Sequence, residues 1–173
     1  MGGIPSLLGE GDRSPGRKQN DSFSGVWKGG DFSGNWLSGR FVKGTFTGIW
    51  RDGVWQSGTW NHGIWKKGEW RNGTWRGGDW LSGTWRNGDW LMGDWVYGDW
   101  YGGGFHSGHW SGGTWHNGTW YGLDFSERCS NRIKQTTWHN GAWKNGIWEG
   151  GVWINGSWYS GLWKGGLWND GTW

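Results

Sequence analysis

Residues 73–90 read GTWRGGDWLSGTWRNGDW, in which a tryptophan recurs at every fifth position and a glycine stands two positions before each one. The unit is therefore Gly-x-Trp-x-x. All 24 Trp and all six Phe of the chain fall on this lattice, and glycine stands two residues before the aromatic at 27 of the 30 sites. A fixed internal period of this kind predicts an architecture that stacks one small unit many times.

The lattice divides the chain into four segments. We interpret residues 1–22, which hold both prolines and no lattice aromatic, as a flexible N-terminal arm. Residues 23–125 form the repeat array, residues 126–137 an inserted loop that carries Cys129, and residues 138–173 a continuation of the same array. Three early steps are only four residues long, which predicts irregular first coils, as is usual for terminal repeats.

Composition excludes several classes of protein. The chain has 40 Gly and 24 Trp in 173 residues, and 20% aromatic content is too high for a disordered chain. A single cysteine rules out a disulfide scaffold, and the scarcity of Ala, Leu, Glu and Gln rules out a helical bundle. The sequence shows no membrane span and no secretion signal, so we expect a cytoplasmic or virion-associated protein.

The aromatic side chains must share one interior. A straight strand would point residues five apart to opposite faces, and a helix would spread them all round. The chain satisfies burial only if it bends once in every unit, and pairs such as Asn72-Gly73 and Asn155-Gly156 are strong turn signals. The sequence therefore predicts an all-β fold, a β-solenoid with a Trp-filled lumen, in which Gly and Trp both point inward. The inward neighbour of Trp, the largest side chain, is expected to be the smallest residue so that the lumen stays close-packed.

Two units carry a resemblance to a known family, namely Gly73-Thr74-Trp75-Arg76-Gly77 and Gly83-Thr84-Trp85-Arg86-Asn87. They resemble pentapeptide-repeat proteins, whose unit is a small residue, a polar residue, a central Leu or Phe and two variable residues. The resemblance implies a right-handed four-sided β-helix with coils of about twenty residues, although Trp and Gly here replace the family's usual residues. Large apolar or aromatic residues also recur at twenty-residue intervals outside the lattice, at Leu81, Tyr101 and Tyr121, and this spacing favours four-sided coils.

A meander of short hairpins is the rival architecture. It would alternate odd and even units over ten residues, and the sequence shows no such alternation. The solenoid is therefore the favoured fold.

No motif for catalysis, cofactor or metal binding stands out, so we expect a non-enzyme. His106 and His109 lie three residues apart, but Cys129 is the only thiol and no ligand spacing repeats. In a four-sided coil Asp79 and Asp99 would stack one above the other, which is compatible with a purely structural role.

The favoured function is that of a structural rod that docks onto itself or onto a larger particle. The lattice runs in register to Trp173 without a cap, and the position before each Trp becomes apolar towards that end. The expected assembly surface consists of Ala142, Ile147, Val152, Leu162, Leu167 and Trp173. Short repetitive β-rods of this kind resemble accessory virion or fibre proteins of large bacteriophages.

Carbohydrate binding is the alternative function, since exposed aromatic rings stack on sugars. Four tyrosines lie off the lattice and are expected at the surface, namely Tyr97, Tyr101, Tyr121 and Tyr159. Nucleic-acid binding is not favoured, because the net charge is only +3 and the charges are interspersed. Mimicry of nucleic acid, known among pentapeptide-repeat proteins, would need a strongly acidic chain.

Overall fold

The chain forms a parallel β-solenoid of about nine turns, seen in a computed structural model that describes residues 18–121 and 136–173. These residues contain no helix, and their strands all belong to one sheet. Every strand pair in it is parallel, so a meander of hairpins is wrong. The predicted all-β solenoid is confirmed, while its handedness stays a prediction.

Most strands are only two residues long and end on the lattice aromatic. The 23 strands of the described chain are β1 (Lys18–Trp27), β2 (Asp31–Phe41), β3 (Thr45–Trp50), β4 (Val54–Trp55), β5 (Thr59–Trp65), β6 (Glu69–Trp70), β7 (Thr74–Trp75), β8 (Asp79–Trp80), β9 (Thr84–Trp85), β10 (Asp89–Trp90), β11 (Asp94–Trp95), β12 (Asp99–Trp100), β13 (Gly104–Phe105), β14 (His109–Trp110), β15 (Thr114–Trp115), β16 (Thr119–Trp120), β17 (Thr137–Trp138), β18 (Ala142–Trp143), β19 (Ile147–Trp148), β20 (Val152–Trp153), β21 (Ser157–Trp158), β22 (Leu162–Trp163) and β23 (Leu167–Trp168).

Each regular coil has three sides of five residues. Strand β7 pairs with β10 so that Trp75 lies beside Trp90, a separation of 15 residues. The prediction of four sides and twenty-residue coils is therefore wrong. The twenty-residue recurrence does not reflect stacking. Leu81, Tyr101 and Tyr121 follow strands β8, β12 and β16, which lie on three different sides of the solenoid.

The first coils are shorter, as the four-residue steps predict. Trp36 pairs with Trp50 and Phe41 with Trp55, separations of 14 residues, and Phe23 pairs with Trp36 over 13. A four-residue step leaves no room for a separate corner, so the strand continues through it. This explains why β1, β2 and β3 are long. Strand β5 is also long, although its step from Trp60 to Trp65 has five residues, and it pairs along β3 with a register shift between Phe46 and Thr47.

The lumen is filled by three columns of rings, one from each side. Within a column Trp60, Trp75 and Trp90 stack at 4.7 Å between ring centroids and within 5° of parallel. Between columns the contacts are edge-to-face, as for Trp75 and Trp80 at 6.0 Å and 74°. The column spacing matches the distance between paired strands, so backbone pairing and ring stacking reinforce each other.

Several indole N–H groups also tie one coil to the next. In each case Nε1 donates to a corner carbonyl 17 residues later, as from Trp60 to Gly77 O at 3.1 Å and from Trp95 to Gly112 O at 3.1 Å. Leu or Phe, the usual central residues of pentapeptide repeats, have no such donor. The same bond is made by Trp55, Trp70, Trp85 and Trp138.

The repeated glycine is required by the conformation of the backbone. All 27 of these glycines have positive φ, for example +103° at Gly78 and +122° at Gly88. A Cβ on Gly88 would overlap with Gly73 O of the preceding coil and lie 2.9 Å from Gly73 N. The nearest obstacle to a Cβ is therefore the backbone of the preceding coil, and at Gly73 and Gly83 a Trp Cζ2 atom also lies within 3.2–3.3 Å of the Cβ position.

The predicted Asn-Gly corners are confirmed at several positions. The side-chain Oδ1 atoms of Asn117, Asn140 and Asn155 accept hydrogen bonds at 2.7–2.8 Å from the N–H of the following glycine. Each bond satisfies a backbone donor where the chain turns.

Two of the predicted segment boundaries fall within or beside the described residues. Strand β1 begins at Lys18, inside the segment interpreted as an arm, and Thr137 already belongs to β17. Trp138 pairs with Trp110, and Thr136 stands where other units have glycine. The rest of the predicted arm, most of the predicted loop and the lattice residue Phe125 lie outside the described residues.

Burial of the rings has a direct spectroscopic consequence. Of the 24 Trp, 21 are buried, and Trp173 is the one most exposed, at 69%. We expect acrylamide to quench only a small fraction of the fluorescence, and Trp173→Phe to reduce that fraction further. Quenching of most of the emission, as in an unfolded chain in urea, would contradict the buried columns.

Candidate functional site

The outer surface is a set of residue ladders, because each two-residue strand sends one side chain outward. Asp79 pairs with Asp94, which in turn pairs with His109. The predicted stack of Asp79 and Asp99 is wrong, since Asp99 lies between Thr84 and Thr114 on another side. Four-sided coils would stack residues twenty apart, whereas the three-sided coils of the structure pair residues 15 apart.

Two of the five histidines lie close to carboxylates of the preceding coil. His106 Nε2 lies 3.7 Å from Asp89 Oδ1, and His116 Nε2 lies 3.5 Å from Asp99 Oδ1. Within residues 18–121 and 136–173, no three His, Cys, Asp or Glu side chains gather in a way that could hold a metal ion. Cys129 lies outside the described residues.

Three of the four off-lattice tyrosines have a ring face covered by a neighbour. Tyr101 carries the Arg86 guanidinium at 4.6 Å on one side and stacks on His116 at 4.2 Å. Tyr121 stacks on His106 at 4.4 Å, and Lys144 Nζ lies 3.6 Å from the Tyr159 ring centroid.

Tyr97 differs from the other three. It is 64% exposed, and no aromatic ring or cation of the described chain stacks on it. Its Cδ2 lies 3.6 Å from the point that a Cβ on Gly112 would occupy, so the ring rests beside a position without a side chain. Tyr97 is the one off-lattice ring that offers an uncovered platform to a ligand.

The expected assembly residues lie on three sides rather than on one flank. Val152 pairs with Leu167 on one side, and Ile147 with Leu162 on another. Ala142 belongs to the third side, beside Ser157. Leu162 and Leu167 are more than half exposed, whereas the other three are half-buried.

The coil of residues 159–173 exposes the rings of the columns. Trp163 and Trp168 are only partly buried and continue their columns at 5.0 and 4.8 Å from Trp148 and Trp153. Trp173 leaves its column: it lies 5.7 Å from Trp158 at 53° and stacks instead on Trp168 at 4.4 Å. We call Leu162, Trp163, Leu167, Trp168 and Trp173 the end surface.

Charged groups at the surface form small ion-pair clusters, and Glu69 Oε1 lies 3.6 Å from Arg71 Nε and 3.3 Å from Arg86 Nε. Lys67 Nζ lies 3.0 Å from Asp52 Oδ2, and Lys164 Nζ lies 2.9 Å from Glu149 Oε1. Both pairs are solvent-exposed, and such pairs contribute little stability.

Comparison with known proteins gives no family model that matches the chain and no similar curated protein or solved structure. The assignment of function therefore rests on the geometry of this chain. In the part of the chain described, no helix is long and apolar enough to cross a membrane.

Sequence reasoning missed the surroundings of Tyr97. Val96, Ser111, Asn140 and Ser157 come together there from four successive coils. Val96 and Ser111 are one 15-residue coil apart, whereas the coils of Trp110 and Trp138 are 28 residues apart because the insertion lies between them. A search at the 15-residue period that also allows for the insertion is the signal that could have found them.

Proposed function

We propose that this protein is a non-enzymatic structural rod that associates with a second copy of itself through the end surface. The solenoid fold itself is that of a structural repeat protein. Its coils are linked by regular backbone hydrogen bonds, such as Thr74 N to Gly58 O at 2.9 Å and Arg76 N to Trp60 O at 2.8 Å. Rigidity and an exposed apolar surface are the properties that a docking rod needs.

The single observation that carries the proposal is the exposure of apolar side chains on the end surface. Trp173 is 69% exposed, Leu167 57% and Leu162 53%. An exposed apolar cluster of this kind favours a protein contact. A second copy fits this surface because its coils carry the same stacked rings, and Trp163 continues its column at 5.0 Å from Trp148, whereas the outer face of Trp168 is covered by Trp173.

Self-association is tested by light scattering coupled to gel filtration, together with sedimentation velocity over a concentration series. We expect the parent chain to form a dimer or larger species and Leu162→Glu/Leu167→Glu to raise the dissociation constant at least tenfold, roughly the effect of losing one or two anchor side chains. Both leucines point outward, so the variant is expected to keep its fold.

A matched control is Leu37→Glu/Leu81→Glu. These leucines are 38% and 39% exposed and lie far from the end surface in sequence, so association should persist. A parent chain that stays monomeric at every concentration would overturn the proposal, and equal loss in both double variants would show a non-specific charge effect. Docking onto a larger particle, such as a virion or fibre, stays a prediction from the likeness to bacteriophage rods.

Carbohydrate binding has one specific observation in its favour. Tyr101 and Tyr121 stack on histidines and Tyr159 carries Lys144 on one face, whereas Tyr97 has no such ring or cation contact within the described residues. We therefore place the proposed carbohydrate binding in the single groove beside Tyr97 and not along the whole rod.

A further inference from the structure

We propose that the groove beside Tyr97 is a binding site for a neutral oligosaccharide. The groove is a shallow depression open to solvent, with a volume of about 570 Å³, and is lined by Val96, Tyr97, Ser111, Thr114, Asn140 and Ser157, with glycine backbone and Ala142 between them. A volume of this size lies within the range of ordinary small-molecule sites.

The groove follows from small residues at one edge of four coils. Gly112 stands at a corner position where neighbouring coils have Tyr97 and Asn140, and Ala142 stands where other strands have acidic or basic residues such as Glu69. These substitutions leave a shallow channel along the rod axis. Three strand spacings give it a length of about 14 Å, enough for a short oligosaccharide.

The lining chemistry selects the ligand class. Every lining residue is uncharged, although 18% of the chain is charged. A charged ligand would lose hydration without gaining an ionic partner, so the ligand is expected to be neutral. Tyr97 supplies an apolar ring for the flat C–H face of a sugar, while Ser111 and Thr114 supply hydroxyl groups. Ser157 Oγ accepts a hydrogen bond from Thr172 Oγ1 at 3.1 Å and keeps its own proton to donate to a ligand.

Asn140 adds donors to the same wall. Its Oδ1 accepts the N–H of Gly141 at 2.8 Å, which holds the amide in place and leaves the two N–H groups of Nδ2 for a sugar hydroxyl. One apolar platform surrounded by neutral donors and acceptors is the pattern that a hexopyranose complements.

The floor of the groove is rigid before any ligand arrives. Gly112 O accepts the indole N–H of Trp95 at 3.1 Å from inside the lumen. Ala142 N donates to Gly113 O at 3.0 Å, and Ser157 N donates to Gly141 O at 2.9 Å. A preorganised site avoids the entropy cost of ordering loops on binding.

Isothermal titration calorimetry with cellohexaose, maltohexaose and chitohexaose tests the proposal, with hexagalacturonate as the charged comparison. We expect saturable binding of at least one neutral hexasaccharide and none of hexagalacturonate. The absence of binding by all three neutral probes at millimolar concentration would overturn the proposal, as would preferential binding of the charged one.

Two variants locate the site. Tyr97→Ala should weaken binding roughly tenfold or more through loss of the platform. Gly112→Arg places a long side chain across the groove, and its Cβ would make only ordinary contacts, at 3.6 Å to Tyr97 Cδ2 and 3.8 Å to Val96 O. We expect it to weaken binding at least as much, with an unchanged melting temperature.

Tyr159→Ala is the matched control, because Tyr159 is 63% exposed but lies under Lys144. It should bind like the parent, and equal losses in Tyr97→Ala and Tyr159→Ala would refute the groove. The Leu162→Glu/Leu167→Glu variant should also bind sugar normally, so failure of self-association and failure of sugar binding are distinguishable.

Discussion

Gly78→Ala is expected to destabilise the array severely, whereas Gly77→Ala, one residue earlier, is expected to be nearly neutral. Gly78 has φ +103°, a conformation almost restricted to glycine. A Cβ there would also overlap with Gly63 O and lie 2.8 Å from Gly63 N. Backbone strain and displacement of the neighbouring coil together cost about 2–4 kcal/mol, which lowers the melting temperature by roughly 5–15 °C.

Gly77 is the matched control because it is buried in the same corner. A Cβ on Gly77 would meet Met92 Cγ at 3.6 Å and His62 Nδ1 at 3.8 Å, which are ordinary contacts. Trp60 Nε1 donates a hydrogen bond to the backbone carbonyl of Gly77. Because the acceptor is a backbone atom, this hydrogen bond is kept in Gly77→Ala. Circular dichroism melting curves compare the two variants, and equal melting temperatures would show that the positive φ and close backbone approach do not limit stability.

The five-residue period was enough to predict the class of fold but not the shape of its coil. Burial of every lattice ring and a bend in every unit follow from the period and from the hydrophobic effect alone. The number of sides does not, because coils of three or four units have the same sequence period. In the structure, edge-to-face contacts join the rings of all three sides, as between Trp70 and Trp75 and between Trp75 and Trp80.

The neighbours of each surface residue could not be predicted correctly from a four-sided coil, because the number of sides decides which residues lie side by side. A twenty-residue coil places Asp79 over Asp99, whereas a 15-residue coil places it beside Asp94. The stack of Tyr101 on His116 and the empty space beside Tyr97 depend on the same 15-residue separation. The core pattern was therefore readable from local sequence, while the candidate site required the exact coil length.

The glycine pattern was predicted for a different reason from the one observed. A small residue beside Trp is a sound argument from volume, and it places Gly correctly in the unit. The structure shows that the preceding coil's glycine carbonyl occupies the space of the Cβ, as Gly63 O does at Gly78. A contact between coils is not visible in the sequence of one unit.

Trp75→Ala is expected to cost about 3–5 kcal/mol, because a fully buried ring leaves a cavity with four aromatic walls. Trp60 and Trp90 each stack on Trp75 at 4.7 Å, and Trp70 and Trp80 contact its edges at 6.0 Å. We expect the free energy of unfolding in urea to fall by this amount and the transition to broaden, since coils on either side of the defect are less coupled.

Two conservative variants separate ring packing from the indole hydrogen bond. Trp75 Nε1 has no acceptor, whereas Trp60 Nε1 donates to Gly77 O. Phe105 already occupies the same column as these two residues, so phenylalanine fits it. Trp60→Phe should therefore cost about 1 kcal/mol more than Trp75→Phe. Trp173→Ala should change stability little, and a loss as large as that of Trp75→Ala would contradict the assignment of stability to the buried columns.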